Sequence, residues 1–177
     1  MCVSAAPHAF ALSIDASLKA GLRDDSHLKA QDVGAGMMLT PWQRLPLAVG
    51  VAYDSIAFQN GAAAALPFHD FTGSEVSWVL RLASPYAVAS CTPYLSYGTV
   101  LASRFDRIQS DGASVRYANT GDHFALGVGI PAVPNGMILL EAGRVRTTFL
   151  ASDPTNTDSF NFDMSATAIY LGLLVSL

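Results

Sequence analysis

The chain has 177 residues, of which 51% are hydrophobic and 14% charged, with 14 Gly, 9 Pro and a net charge of −4. That length suits one domain of ~100–200 residues, and the hydrophobicity excludes a disordered chain. Ten Lys and Arg against fourteen Asp and Glu disfavour a nucleic-acid partner, while Cys2, Cys91 and four scattered His rule out a disulfide scaffold or a structural zinc site.

No stretch reaches the ~20 consecutive apolar residues that a membrane-spanning helix needs. Residues 1–9 are read as the tail of an export signal or an irregular start, ahead of one domain over 10–177. From Phe10 to Arg23 the apolar residues fall at every second position: Phe10, Leu12, Ile14, Ala16, Leu18, Ala20 and Leu22. A helix there would bury Asp15 and Lys19, so the period of two predicts a strand.

The alternation then repeats along the chain. Val33 to Leu39, Leu45 to Tyr53, Val76 to Leu82, Pro93 to Leu101 and Phe124 to Ile130 each carry apolar residues on one face. A strand over Met137 to Phe149 follows. The last ends on Ile169, Leu171, Leu173, Val175 and Leu177, out of phase with Phe160, Phe162 and Met164 above. That break predicts a bulge between Ser165 and Thr167. About eight strands result.

Connections around 24–27, 59–73, 103–121 and 152–159 are read as loops. Those at 41–44, 84–86 and 131–136 are read as short turns. Longer loops at one end and tight turns at the other are the asymmetry of outer-membrane barrels, with both termini at the turn end. The apolar stretch 61–68 is expected to rest on the loop-end rim.

Alternation alone leaves open which face is buried. In a soluble, lipocalin-like barrel the greasy face lies inside and the outside is charged. Here the less apolar face is mostly Gly, Ser and Ala with sparse charges, which suits a narrow lumen filled by side chains. Its partner face of Leu, Val, Ile and aromatics suits hydrocarbon. The reading is therefore an all-β, closed, up-and-down antiparallel transmembrane β-barrel. Phe10, Trp42 and Tyr86 at the turn end, with Tyr53, Phe58, Phe149 and Phe160 toward the loop end, are expected to form interfacial girdles.

Three pieces carry a family likeness: Thr92-Pro93-Tyr94-Leu95-Ser96-Tyr97-Gly98, Leu140-Glu141-Ala142-Gly143 and Ile169-Tyr170-Leu171-Gly172-Leu173. With them the chain resembles the small outer-membrane barrels of Gram-negative bacteria, the OmpA/OmpX-like and porin-family proteins. The resemblance implies a bacterial outer-membrane location with periplasmic termini, and contact with membrane lipids and lipopolysaccharide. It also implies insertion by the barrel-assembly machinery, and a monomer is expected.

Asp15, Lys19, Glu75, Arg81 and Glu141 are expected inside the lumen, as a structural plug rather than a gate or proton path, because buried charges must pair. Arg104, Arg107 and Arg116, with Arg23, Lys29 and Arg146 nearby, form a candidate rim for lipopolysaccharide phosphates, since guanidinium forks bind phosphate in two-point fashion. His69-Asp70 and Asp122-His123 are candidate acid–base pairs. The His-x-Ser strand of the lipid A deacylases is missing, and no phosphate loop, GxSxG elbow or HExxH helix occurs, so no cofactor or metal is expected. A non-enzymatic role in membrane integrity or surface interaction is the favoured reading. A lipid A-modifying hydrolase or acyltransferase, and an OmpW-like conduit for small hydrophobic molecules, are the alternatives.

Overall fold

The computed structural model describes residues 13–25, 28–40, 46–60, 70–108, 114–152 and 161–177. In chain order the strands are β1 (Ser13–Asp24), β2 (Leu28–Thr40), β3 (Leu47–Asn60), β4 (Asp70–Ala83), β5 (Thr92–Ile108), β6 (Ser114–Val133), β7 (Gly136–Ala151) and β8 (Phe162–Ser176). Each pairs antiparallel with the next, and β8 returns to β1, so the eight strands form a closed up-and-down barrel. Closure leaves no sheet edge with unpaired backbone groups. This is the predicted fold.

The register sets the barrel's dimensions. Directly opposed residues lead from Ile14 through Leu39, Val49, Leu80, Tyr97, Phe124, Arg144 and Thr167 back to β1 at Asp24. The circuit thus closes ten residues above its start, which is the shear. With ~3.3 Å per residue and ~4.8 Å between strands, the strands tilt by about 40° around a backbone radius of about 8 Å.

The two ends differ. Leu177 donates its backbone N–H to Ile14 across 2.9 Å, so the start of β1 and the end of β8 lie at one end of the barrel, here called the turn end. The β6–β7 connection at the same end is a tight turn with Asn135 at φ 60°. The β4–β5 connection, expected to be short, spans 84–91 and contains a Val88–Cys91 bridge with positive φ at Ala89 and Ser90.

Along the outer surface, polarity changes with height. Near the turn end the outward residues are apolar on every strand: Ile14 to Leu22 on β1, Leu39 to Val33 on β2, and Leu47 to Tyr53 on β3, for example. Leu18, Val33 and Ile169 are each 63% exposed. Toward the loop end the outward positions turn polar, with Asp24, Gln31, Ser55, Ser74, Arg104, Asp122, Arg146 and Ser165. The apolar belt runs about eight residue steps along each tilted strand, or about 20 Å of height, close to the ~25 Å band of outer-membrane barrels.

The inner surface changes in the opposite sense. Beneath the belt's upper edge the lumen is lined by small residues and a few charges. Above it, Leu28, Ile56, Phe58, Phe71, Phe105, Val115, Tyr117, Phe149 and Met164 form one buried apolar cluster, with Phe162 packed against it. The barrel is therefore greasy outside at the turn end and greasy inside at the loop end.

This exchange corrects three expectations. No register shift interrupts β8 against β7 or β1, so there is no bulge between Ser165 and Thr167. Phe162 and Met164 keep the phase of Ala168 and Tyr170 and point inward; the apolar face changes sides while the backbone continues. Register shifts fall instead at Val76/Ser77, Thr99/Phe105 and Pro131/Val133. Second, Phe58 and Phe149 are not girdle residues, since both are buried in the lumen. Third, most of 103–121 is strand, because β5 reaches Ile108 and β6 begins at Ser114. Its outward residues Arg104, Asp106 and Arg116 are polar above the belt, which the sequence pattern reads as loop. Phe10, Trp42, Phe160, the 61–68 stretch and residues 1–9 lie outside the described residues.

Candidate functional site

Every one of the expected lumen charges faces inward, stacked at different heights. Nearest the turn end, Asp15 accepts hydroxyl hydrogen bonds from Ser13 at 3.3 Å and Ser176 at 2.7 Å. One step higher, Arg81 lies 3.5 Å from Glu141 and over the Tyr94 ring at 4.7 Å, while the Tyr94 hydroxyl donates to Glu141 at 3.0 Å.

A denser layer sits where the sheet changes polarity. Lys19 Nζ lies 3.1 Å from Asp54 and 4.6 Å over the Tyr170 ring. Arg23 is its centre, donating to Asp32 at 2.8 and 3.0 Å, to Glu75 at 2.8 Å and to the Tyr170 hydroxyl at 3.1 Å. Glu75 accepts a further bond from the Asn119 amide at 2.8 Å. Buried charges persist only when paired and hydrogen-bonded, and this cluster does so by tying β1, β2, β4, β6 and β8 together across the lumen. Close packing requires glycine around it. A Cβ on Gly21 would strike the Tyr170 ring, and one on Gly34 would strike the Asp54 carboxylate.

Sequence reasoning set Arg23 among the rim cations, whereas it is 3% exposed in the lumen. The signal was present: Arg23 shares the odd-numbered face of β1 with Asp15 and Lys19. Asn119, Tyr94 and Tyr170 were missed, because neutral residues on the small-residue face carry no charge pattern.

Above the charges, rings close the lumen. Phe71 and Phe149 meet edge-on at 5.1 Å, Phe105 and Phe149 at 5.2 Å, and Phe149 stacks on Phe162 at 4.7 Å. Each such pair contributes about 0.5–1.5 kcal/mol beyond its buried area. Between the lower and upper charges remains a cavity of about 40 Å³, bounded by Ser17, Ser96, His123 and Gly172 among others. That space holds water at most.

The candidate phosphate rim is not one cluster. Arg104 and Arg116 point outward and share Asp106, at 3.4 and 3.3 Å. Arg107 falls on the opposite face, 2% exposed, donating to the Tyr117 hydroxyl at 3.2 Å among the lumen aromatics. Neighbours on a strand face opposite ways, so Arg104 and Arg107 cannot serve one outer site once β5 extends to Ile108. The same rule separates Asp122, outside, from His123, inside. His69 lies outside the described residues. Among the described residues no three His, Cys, Asp or Glu side chains converge as a metal site.

No protein-family model and no curated protein sequence matches the chain. Among solved structures, it is similar to Neisserial surface protein A, at 16% identity and TM-score 0.57 over 94% of this chain and 97% of that one. It is also similar to the N-terminal β-barrel domain of Pseudomonas aeruginosa OprF, at 12% identity and TM-score 0.55, covering 93% and 97%. A major outer membrane protein from Thermus thermophilus aligns at 13% identity and TM-score 0.55, covering 94% and 100%. These likenesses establish a shared eight-stranded barrel fold.

Proposed function

We propose that this chain is an integral outer-membrane barrel with a closed lumen and a non-enzymatic role. It contributes to membrane integrity and presents its loop end for surface interaction. The apolar belt carries the reading: a band about 20 Å high, with apolar residues outward on all eight strands, suits hydrocarbon and not water. The turn end, with both termini, faces the periplasm, and the polar half of the barrel stands out beyond the outer leaflet. Charged layers and the aromatic cluster above them support a plugged lumen, against the conduit. The division of Asp122 from His123 weighs against lipid A hydrolysis or acyl transfer. Lipids and lipopolysaccharide surround the belt, the barrel-assembly machinery inserts the chain, and the chain stands as a monomer.

Arg104, Arg116 and Arg146, exposed above the belt, support contact with lipopolysaccharide phosphates. Refolding in detergent followed by planar-bilayer recording tests the main reading. The expected result is faster gel migration before boiling than after it, with no current steps. A chain that stays soluble and folded without detergent, or one that conducts, overturns it.

A further inference from the structure

At the turn end the lumen opens into a vestibule of about 410 Å³, blind at its inner end. Ala48, Met137, Leu139 and Leu174 supply apolar wall, and Arg81 with Tyr94 forms the floor. Arg81 also borders the cavity of about 40 Å³ above, which is too small to admit an organic group, so the floor is the end of the path.

Arg81 is held in place but poorly satisfied. Its plane is fixed over the Tyr94 ring at 4.7 Å, and its side chain is only 13% exposed. Its ion contact with Glu141 is long, at 3.5 Å, and its Nε is buried without a hydrogen-bond partner. Glu141 is meanwhile engaged by the Tyr94 hydroxyl at 3.0 Å, and Asp15 by the Ser13 and Ser176 hydroxyls. A guanidinium carries five donors in a rigid fork, matched by a carboxylate or a phosphate monoester. Hydroxyls thus engage the carboxylates of the vestibule, while Arg81 keeps one long hydrogen bond to Glu141 and an Nε without a partner.

We propose that the vestibule is a binding site for a small monoanionic amphiphile. A carboxylate or phosphate head meets Arg81, and a short apolar tail lies along Ala48, Met137 and Leu174 toward the mouth. The volume lies within the ~300–1,000 Å³ range of small-molecule sites. Unlike the conduit, this site lets nothing through.

The test is calorimetric titration of the barrel in phosphatidylcholine nanodiscs, with empty nanodiscs as reference. It rests on the outer-membrane reading only in needing a lipid-folded barrel, which heat-modifiable migration establishes beforehand. A chain that fails to fold there is a failure of that reading and not of this one. The probes are octanoate, octyl phosphate, 1-octanol and octylammonium. The expected result is saturable one-site binding of octanoate or octyl phosphate, at least tenfold tighter than octanol, with the better anion naming the head group. Arg81→Gln should cost tenfold or more in anion affinity. Thr92→Phe, whose ring would cover side-chain-free Gly129 opposite it and fill the mouth, should abolish binding with Arg81 intact. Octanol binding as well as octanoate, preference for octylammonium, indifference to Thr92→Phe, or no binding above the empty nanodiscs would each overturn the proposal.

Discussion

Arg23 on β1 and Glu75 on β4 meet across the lumen at 2.8 Å, at the height where the sheet exchanges its greasy face. Below this contact, hydrocarbon-type residues look outward; above it they look inward. The contact lies in the dense charge layer between two differently built halves of one barrel. It binds distant strands without blocking either half from packing by its own rules.

Removing Arg23 would leave Asp32 and Glu75 buried without their shared cation. Breaking a buried pair in this way costs about 3–5 kcal/mol. Arg23→Met should therefore lower the urea midpoint of the lipid-refolded barrel sharply. A further Asp32→Asn and Glu75→Gln exchange in that background should recover part of the loss. No current steps should follow from either, because the aromatic cluster above remains.

Phe149 is fully buried and touches the rings of Phe58, Phe71, Phe105 and Phe162. Phe149→Ala should destabilise the barrel by about 3–5 kcal/mol, as large-to-small core changes do. The loss should appear in unfolding and refolding equilibria, again without conductance, since the Arg23 layer still closes the lumen beneath.

Gly21 lies against the Tyr170 ring, and Tyr170 is a partner of Arg23. Gly21→Val forces that ring aside and loosens the hydrogen bond with it. A cost of about 1–3 kcal/mol in unfolding free energy is expected from such overpacking. Ala20→Val, one residue away on the outer face, should be near neutral in the same measurement.

The sheet and its lower half were legible because a period of two, once in phase, assigns every side chain to a face. That rule alone places Asp15, Lys19, Glu75, Arg81 and Glu141 inward. The upper half was misread for the same reason. Ser165 and Asp163 look like loop or bulge residues only if the outside must be apolar throughout. Phe58 and Phe149 look like girdle residues only if aromatics near a rim must face lipid. Arg107 and Arg104 look like one group because nearness in sequence hides the alternation of faces.

A charge placed in the belt should cost energy according to depth. Leu171→Lys, on the outward face near mid-belt, should destabilise the refolded barrel by about 2–4 kcal/mol. Ser165→Lys, six residues up the same strand face, should cost almost nothing. Equal costs at both positions would mean that the two lie in the same environment.

The exchange of faces is tested most directly by nitroxide scanning of β8 in lipid bilayers, with Cys2 and Cys91 replaced by Ser and single cysteines placed at 163, 165, 169, 171 and 173. Collision with oxygen should dominate at 169, 171 and 173, and collision with a water-soluble nickel complex at 163 and 165. Nickel access along the whole strand, or oxygen access persisting through 163, would contradict a barrel that is oily outside at one end and oily inside at the other.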